Sequence, residues 1–234
     1  MDELNIERNY SQSKFIKYLI DCQVTGIRDI PPLSKLSQIL NMSVSSIREQ
    51  MEVSRNMGLI EVKTKTGIKI LDYSFSPAVF HSISYSIQLD RKKFLSYSDL
   101  RKHIEAGYWF EAASQLNVDD INKLKSILGR AIEKINGAPS QIPHVEHRDL
   151  HLLIYKKLNN PFVTGLLEAF WDLYESAGLN IYTDRDYLNT VWQYHQQIIE
   201  ALEAADLKRG YQILLAHMDL INHRTNNSLQ AQFE

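Results

Sequence analysis

Residues 31–70, PPLSKLSQILNMSVSSIREQMEVSRNMGLIEVKTKTGIKI, decide the fold of the N-terminal part of this chain. Apolar residues recur at three- and four-residue spacing over 33–40 and again over 44–57, which predicts two short helices. The residues 41–43 form a tight turn between them, and Ser43 is a suitable N-cap for the second helix of the pair. Two short helices joined by such a turn indicate a helix-turn-helix.

A β-hairpin is predicted directly after these helices. Gly58 occupies a C-cap position, and two β-type runs follow at 59–62 and 68–70, joined by the basic segment 63–67. With a further helix predicted upstream over 14–22, the order becomes three helices and a hairpin. This order is typical of a winged helix-turn-helix, in which the third helix enters the major groove of DNA and the hairpin approaches the backbone or the minor groove.

Several side chains in this segment have the chemistry of DNA contacts. Arg48, near the start of the third helix, can make a bidentate contact to guanine O6 and N7, whereas lysines of the hairpin suit phosphates. Each of these residues alone is more often a solvated surface group, but the ordered set favours DNA binding. The predicted DNA-binding residues are Ser34, Ser43, Ser45, Ser46, Arg48, Lys63, Lys65 and Gly67.

The charge distribution agrees with a polyanionic partner for the N-terminal segment. From Arg8 to Ile70 the chain has 10 Lys and Arg against 5 Asp and Glu, a net charge of +5. Residues 71–234 have 16 basic and 20 acidic side chains, a net charge of −4. A basic segment joined to an acidic one is expected where only the first faces nucleic acid.

The composition of the whole chain excludes several classes of protein. Its 234 residues suffice for one large domain or two smaller ones, and 44% apolar residues can form a core. The single cysteine, Cys22, excludes an intrachain disulfide framework and a Cys-rich zinc finger. No run approaches the ~18 consecutive apolar residues of a membrane span, and the acidic, polar start is unlike a signal peptide. We therefore expect a cytoplasmic protein without membrane contact.

The second segment has the apolar spacing of a helical bundle. Helices are predicted over 77–91, 97–115, 118–136, 144–158, 161–177, 185–204 and 206–223, and no strand pattern is convincing. The predicted fold is mostly α, with a small β-hairpin wing in the N-terminal unit and a C-terminal antiparallel α-helical bundle. The predicted domains are a winged helix-turn-helix at 8–72, an all-α domain at 77–223 and a flexible tail at 224–234.

Histidines in the second segment are spaced like metal ligands. In IPHVEHRDLHLLIY, His147 and His151 lie about 40° apart around a helix, and His144 projects close to them. His195 and His217 lie in inward-facing stripes of the last two helices. Neutral imidazole binds zinc and nickel, and an i, i+4 pair with one ligand from each of two other helices can close a site. Histidines satisfied by hydrogen bonds explain the spacing equally well, so both interpretations stay open here.

Residues 31–70 resemble the DNA-binding domain of GntR-family bacterial transcription regulators of the FadR/FCD subfamily. That domain has an L-A-x-x-L-x-V-S helix and turn, a V-R-E-A-L recognition helix, a G-L-I run and a G-x-x-V wing. Ile-Arg-Glu at 47–49 stands for V-R-E, Gly-Leu-Ile at 58–60 for G-L-I, and Gly67 for the wing glycine. Gln-Met at 50–51 replaces the usual Ala-Leu, which predicts an operator sequence different from those of better-studied members.

Residues 97–223 resemble the FCD effector-binding domain attached to many GntR regulators. In its metal-binding subset, an aspartate and a histidine four residues apart join two later histidines. The resemblance assigns the metal ligands as His147, His151, His195 and His217, with His147 at the usual aspartate position. Because histidine lacks the negative charge of that aspartate, the site is predicted to prefer a different ion or to bind its metal more weakly. Arg101 matches the arginine of an L-x-x-R-x-x-[IL]-E helix, which commonly faces the effector.

The resemblance implies a homodimeric transcriptional regulator and not an enzyme. A divalent ion, zinc or nickel, and a small carboxylate beside Arg101 would modulate binding to a double-stranded DNA operator. Two alternatives stay open: a metal sensor with the ion as signal, and a metal-dependent hydrolase. The hydrolase lacks a well-placed general base, because Glu146 and Asp149 are predicted to point away from the histidines. The alternative for Arg101 is an ion pair with Glu105 on the helix surface.

Overall fold

The computed structural model describes residues 13–63, 67–176 and 185–231, and the chain divides into two compact units between Ser74 and Phe75. The first unit contains α1 (Lys14–Val24), β1 (Asp29–Ile30), α2 (Leu33–Leu40), α3 (Val44–Asn56), β2 (Ile60–Lys63) and β3 (Gly67–Ile70). The second contains α4 (Ser76–Leu89), α5 (Lys93–Ser114), α6 (Val118–Asn136), α7 (His144–Tyr155), α8 (Pro161–Ser176), α9 (Arg185–Glu203) and α10 (Leu207–Ala231).

The first unit packs its helices and sheet around an apolar core. Ser13 and Ser43 begin α1 and α3, because each hydroxyl accepts a hydrogen bond from the backbone N–H three residues later, at 3.2 and 3.1 Å. The inward faces of the helices then meet the inner faces of β2 and β3. The core contains Phe15, Leu19, Cys22, Leu36, Ile47, Met51, Ile60, Ile68 and Ile70.

The sheet has one strand more than the predicted hairpin. All neighbours are antiparallel in the order β1-β3-β2, and Lys63 lies opposite Gly67 at the end of the hairpin. The added strand, β1, pairs Asp29 with Lys69 and Ile30 with Ile68. Two residues before a Pro-Pro pair are too few to show an alternating pattern, so only the fold reveals this strand. The predicted winged helix-turn-helix is confirmed.

The second unit is a helical bundle, as predicted. In it α5 packs against α7, α8 and α10, while α9 packs against α6 and α10, and α4 against α8. A main core surrounds Trp109, Leu124, Leu150 and Leu214, and a smaller one lies around Phe94 and Phe170. Burying a side chain of this kind stabilises the fold by about 1.5–3 kcal/mol. The two cores adjoin α5, α7 and α8, which carry most of the site described below.

Two helix contacts in the bundle require glycine. An added Cβ on Gly210 would lie 2.6 Å from Trp109 Cζ2, and one on Gly165 would lie 2.7 Å from Phe75 Cβ. Both distances are far shorter than the ~3.5–4.0 Å of an ordinary carbon–carbon contact. Glycine therefore lets α10 approach α5 closely. His217 lies seven residues beyond Gly210, so it occupies the same face of α10.

The last helix is longer than predicted. It continues to Ala231, eight residues beyond the predicted end at 223, and residues 232–234 of the predicted tail lie outside the described residues. No Gly or Pro interrupts residues 224–231, and their polar side chains carry no apolar period from which a helix could be predicted. Among the residues that the structure describes, no helix is both long and apolar enough to cross a membrane.

Candidate metal centre and candidate DNA interface

Four histidines from three helices meet in the interior of the bundle. Helix α7 supplies His147 and His151 from successive turns, α9 supplies His195 and α10 supplies His217. One ring nitrogen of each lies within 4.8 Å of the others. The side chains on α9 and α10 are fully buried, His151 is nearly so, and His147 is half-buried. The structure thus brings together the four histidines that the sequence singled out.

The ring nitrogens of this histidine cluster are incompletely paired. His151 Nε2 lies 3.2 Å from His195 Nε2 and 3.3 Å from His217 Nε2. Among the described residues, no hydrogen-bond partner reaches His147 Nε2, His195 Nδ1 or His217 Nδ1. Buried polar atoms are nearly always paired with protein groups or with ordered water, so these three nitrogens need partners that the described residues do not supply. Four converging imidazoles form a donor set that suits zinc or nickel.

Glu105 on α5 orients one ring of the histidine cluster. Its Oε2 accepts a hydrogen bond from His151 Nδ1 at 2.8 Å, and its Oε1 accepts one from Arg101 Nε at 2.5 Å. Burial alone would raise the pKa of Glu105, but Arg101 and His151 outweigh it and lower the pKa to about 2. The ionised carboxylate keeps the proton on His151 Nδ1, so the lone pair of Nε2 points into the cluster. Such a carboxylate partner is typical of metal-binding histidines.

The four rings are held in the neutral form that binds metal. Burial lowers the pKa of His147, His195 and His217 well below the ordinary value, and the positive charge of Arg101 adds to this effect. Burial also lowers the pKa of His151, although the charge of Glu105 opposes the shift. At neutral pH no proton has to leave these rings before a metal ion can bind.

Arg101 is part of the same buried network. Its side chain is 3% exposed, and its Cζ lies 4.5 Å from the ring centre of Phe170 and 4.4 Å from that of Trp171. The ion pair with Glu105 exists, but it is buried and does not lie on the helix surface. The guanidinium Nη2 has no hydrogen-bond partner within the described part of the chain. Arg101 can therefore still bind an anion through that nitrogen.

Three residues of this network had no role in the predicted site. Glu105 was considered as the final residue of the L-x-x-R-x-x-[IL]-E resemblance and as a surface partner of Arg101, but not as a partner of His151. Trp171 covers the guanidinium, and Tyr155 donates a hydrogen bond from its hydroxyl to the Glu105 backbone oxygen at 2.8 Å. Aromatic residues at helical spacing are typical of any helical core, so the sequence did not indicate a role for Trp171 or Tyr155 in the site. Glu146, which was predicted to point away from the histidines, pairs with Lys134 on α6 at 2.8 Å.

The predicted DNA-binding residues of the helices lie at the surface of the first unit. Ser34 near the start of α2 is exposed, as are Ser45 and Arg48 on α3. Ser43 and Ser46 are joined by the N-cap hydrogen bond, so the Ser43 hydroxyl has a structural function in beginning α3. These positions leave Arg48 accessible on the helix that a winged helix-turn-helix inserts into the major groove.

The predicted DNA-binding residues of the hairpin are only partly described. Lys63 at the end of β2 is exposed and pairs with Glu61 at 2.8 Å. Gly67 begins β3 with φ of 79°, a left-handed conformation that favours glycine. Lys65 lies outside the described residues. The exposed pair of Lys63 and Glu61 contributes little to stability, which leaves this lysine available for a phosphate.

Comparison with known proteins places the second unit in a family. A profile of the FCD domain matches residues 97–220, more than half of the 234 residues. The Uxu operon transcriptional regulator of Escherichia coli K12 is 25% identical over 202 residues, which are 83% of this chain and 77% of that protein. The Uxu operon regulator of Haemophilus influenzae Rd is 23% identical over 221 residues, 92% of this chain and 80% of that protein.

Solved structures show the same fold over nearly the whole chain. A GntR protein of Streptococcus agalactiae has a TM-score of 0.64 at 14% identity, covering 90% of this chain and 98% of that one. McbR/YncC of E. coli has a TM-score of 0.51 at 17% identity, covering 96% of this chain and 100% of that one. The family match and the two operon regulators together show that the chain belongs to the FCD-containing GntR transcriptional regulators and is a regulator, not an enzyme.

Proposed function

We propose that this regulator binds its operator as a homodimer and that a small carboxylate, held with a divalent metal ion in the bundle, modulates this binding. The observation that carries the proposal is one continuous buried network. It runs from the histidine cluster through Glu105 to Arg101, whose Nη2 lacks a partner among the described residues. One end of the network suits a metal ion and the other end suits an anion.

The balance of buried charge supports metal and acid together. Arg101 and Glu105 cancel each other, and the histidines are neutral. A divalent ion would add two positive charges to the interior, and buried charge without compensation is costly. An acid supplies that compensation, and its carboxylate can accept a charge-assisted hydrogen bond from Arg101 Nη2. Small hydroxy- or dicarboxylic acids therefore suit the site better than apolar ligands.

The residues present suit a metal ion without an aspartate ligand. His147 stands at the position where the resemblance expects aspartate, so all four candidate ligands are uncharged. Glu105 lies outside the ligand set but supplies negative charge through its hydrogen bond to His151, which makes that ring a more basic ligand. Zinc and nickel both accept nitrogen donors of this kind. When bound, the ion would supply a Lewis-acidic centre that attracts an oxygen of the acid.

A metal sensor is the second candidate, and one observation favours it. The histidine cluster offers four nitrogen donors, which is enough to complete a tetrahedral shell with no position left for an acid. In that case the ion itself would be the signal. In both cases the regulator needs two arrangements of its DNA-binding units and a ligand that binds one of them more tightly.

Metal content tests the site directly. His195→Ala should lose most of the bound zinc or nickel and lower the melting temperature of the metal-loaded protein, because a ligand of the folded state stabilises it. His103→Ala, an exposed histidine on α5, is the matched control and should change neither quantity. Equal metal content in His195→Ala and the parent would show that the site is misassigned.

Operator binding separates the two candidates. A fragment selected from random-sequence DNA can be titrated with the protein in gel shifts, with metal alone and with metal plus a panel of small acids. If operator binding changes only when an acid is added, and Arg101→Lys abolishes that change, the carboxylate effector is supported. A full response to metal alone supports the sensor. Binding that neither metal nor acid changes would contradict both.

A further inference from the structure

Beside Arg101 lies a second buried donor for which the described part of the chain supplies no acceptor. Trp171 on α8 is 2% exposed, yet within the described residues its Nε1 has no hydrogen-bond partner. An indole N–H can only donate, and a buried tryptophan usually reaches an acceptor. The ring lies under the Arg101 guanidinium and 4.6 Å from the ring centre of His147. Trp171 therefore adjoins both ends of the network that the proposed acid would occupy.

Trp109 is a buried tryptophan that serves packing alone, and its hydrogen bonding can be compared with that of Trp171. It is fully buried on α5, and its Nε1 donates to the Leu207 backbone oxygen at 2.8 Å. The two indoles are buried to a similar degree, but among the described residues an acceptor is found for Trp109 and none for Trp171. An unpaired buried donor costs stability, so its position beside another unpaired donor points to a ligand that pairs with both.

We propose that Trp171 Nε1 donates a hydrogen bond to a second oxygen of the acid whose carboxylate pairs with Arg101. This inference rests on the proposed function and specifies its ligand class. A simple monocarboxylate has two oxygens, which Arg101 and the metal ion would take, so it would leave the indole unpaired. The preferred acids therefore carry a hydroxyl or a second carboxylate in addition to the carboxylate at Arg101. Trp171 is then a specificity-determining residue, and its ring also holds the guanidinium in place.

Calorimetry on the full chain with zinc present tests this inference. Propionate offers one carboxylate, whereas lactate adds a hydroxyl and succinate adds a second carboxylate. The parent should bind lactate or succinate at least about fivefold more tightly than propionate, the size of one hydrogen bond. Trp171→Phe keeps an aromatic ring but removes the donor. That advantage should disappear in this variant, while its affinity for propionate stays within about twofold of the parent.

Trp109→Phe is the matched control. It removes an N–H that has a protein acceptor, so it should lower the melting temperature more than Trp171→Phe does and keep the preference among the acids. If the parent binds none of the three acids, the carboxylate part of the proposed function fails, and this inference fails with it. If the parent binds them but Trp171→Phe keeps the preference, or weakens all three acids equally, the inference alone is overturned.

Discussion

In the first unit, Arg48 and Ser45 lie on the exposed surface of α3, above a core of apolar side chains around Phe15 and Ile47. In the second unit, Arg101, Glu105 and three of the four clustered histidines are themselves buried, and His147 is half-buried. The groups proposed for recognition are therefore separate from the stabilising core in the first unit and part of it in the second. Substitutions at the proposed DNA interface should change DNA binding alone, whereas substitutions in the proposed metal centre should change both folding and ligand binding.

Removing Glu105 should have the largest effect on stability. Glu105→Ala leaves the buried Arg101 without its counter-ion, and breaking a buried pair in this way costs about 3–5 kcal/mol. Glu105→Gln keeps the volume and one acceptor oxygen, so it should unfold at a higher urea concentration than Glu105→Ala but bind metal about 10–100-fold more weakly than the parent. Urea unfolding that places Glu105→Ala within ~1 kcal/mol of the parent would show that the pair is not needed.

Acid should destabilise the metal-free protein next most strongly. The pKa values of the four histidines lie below 6.5 in the folded state, and that of Glu105 falls from 4.5 to about 2. In each case the unfolded chain takes up protons at a higher pH than the folded one. Stability is therefore complete above pH ~6.5, and falls below it as the histidines of the unfolded chain protonate. A further loss of roughly 3 kcal/mol, from Glu105, follows between pH 4.5 and 2.

Melting curves between pH 8 and 3, recorded with a chelator present, measure this dependence. His195→Ala removes one of the buried rings, so its melting temperature should change less steeply between pH 7 and 5. A parent whose melting temperature stays constant over that interval would contradict the assignment of neutral, buried histidines.

A smaller loss is expected where α10 contacts α5. Gly210→Ala places a Cβ against Trp109, and overpacking of this kind costs about 1–3 kcal/mol. Gly107→Ala is the control: its Cβ would meet nothing within 4 Å, and alanine at this exposed position of α5 should raise stability by about 0.4–1 kcal/mol. Opposite changes in melting temperature would confirm the close contact, and equal changes would refute it.

The smallest effect on stability is expected at Arg48. Arg48→Ala should change the free energy of unfolding by less than about 0.5 kcal/mol, because the side chain is exposed. The same change should weaken operator binding by about 1–3 kcal/mol and relax the preference at one base pair. Arg48→Lys keeps the charge but loses the bidentate contact, so it should retain affinity better than selectivity. An unchanged preference in gel shifts would place Arg48 on the DNA backbone or in solvent.

The features that could be predicted from the sequence are those that local interactions determine. The starts of α3, α6, α7, α8 and α9 were predicted at the residues where they occur, because caps and apolar periods are encoded within a few residues. The spacing of His147 and His151 is likewise local. Strand β1 and the end of α10 were missed, since the first exists only through its pairing with β3 and the second lacks an apolar period.

The interior partners of the site depend on contacts between distant residues. Glu105 meets His151 across a separation of 46 residues, and no sequence spacing records such a contact. The same holds for Trp171, whose place beside Arg101 depends on how α8 crosses α5. The sequence could therefore indicate which side chains are candidate metal ligands, but it could not show which residues hold them in place.

The burial of Cys22 makes the two units separately observable in the intact chain. The sequence has one cysteine and three tryptophans. Cys22 is 4% exposed in the core of the first unit, whereas Trp109, Trp171 and Trp192 all lie in the second. A thiol reagent reaches Cys22 only when the first unit opens, so its labelling rate reports the opening free energy of that unit. Indole fluorescence follows the bundle alone, and each half of the molecule thus carries its own intrinsic probe.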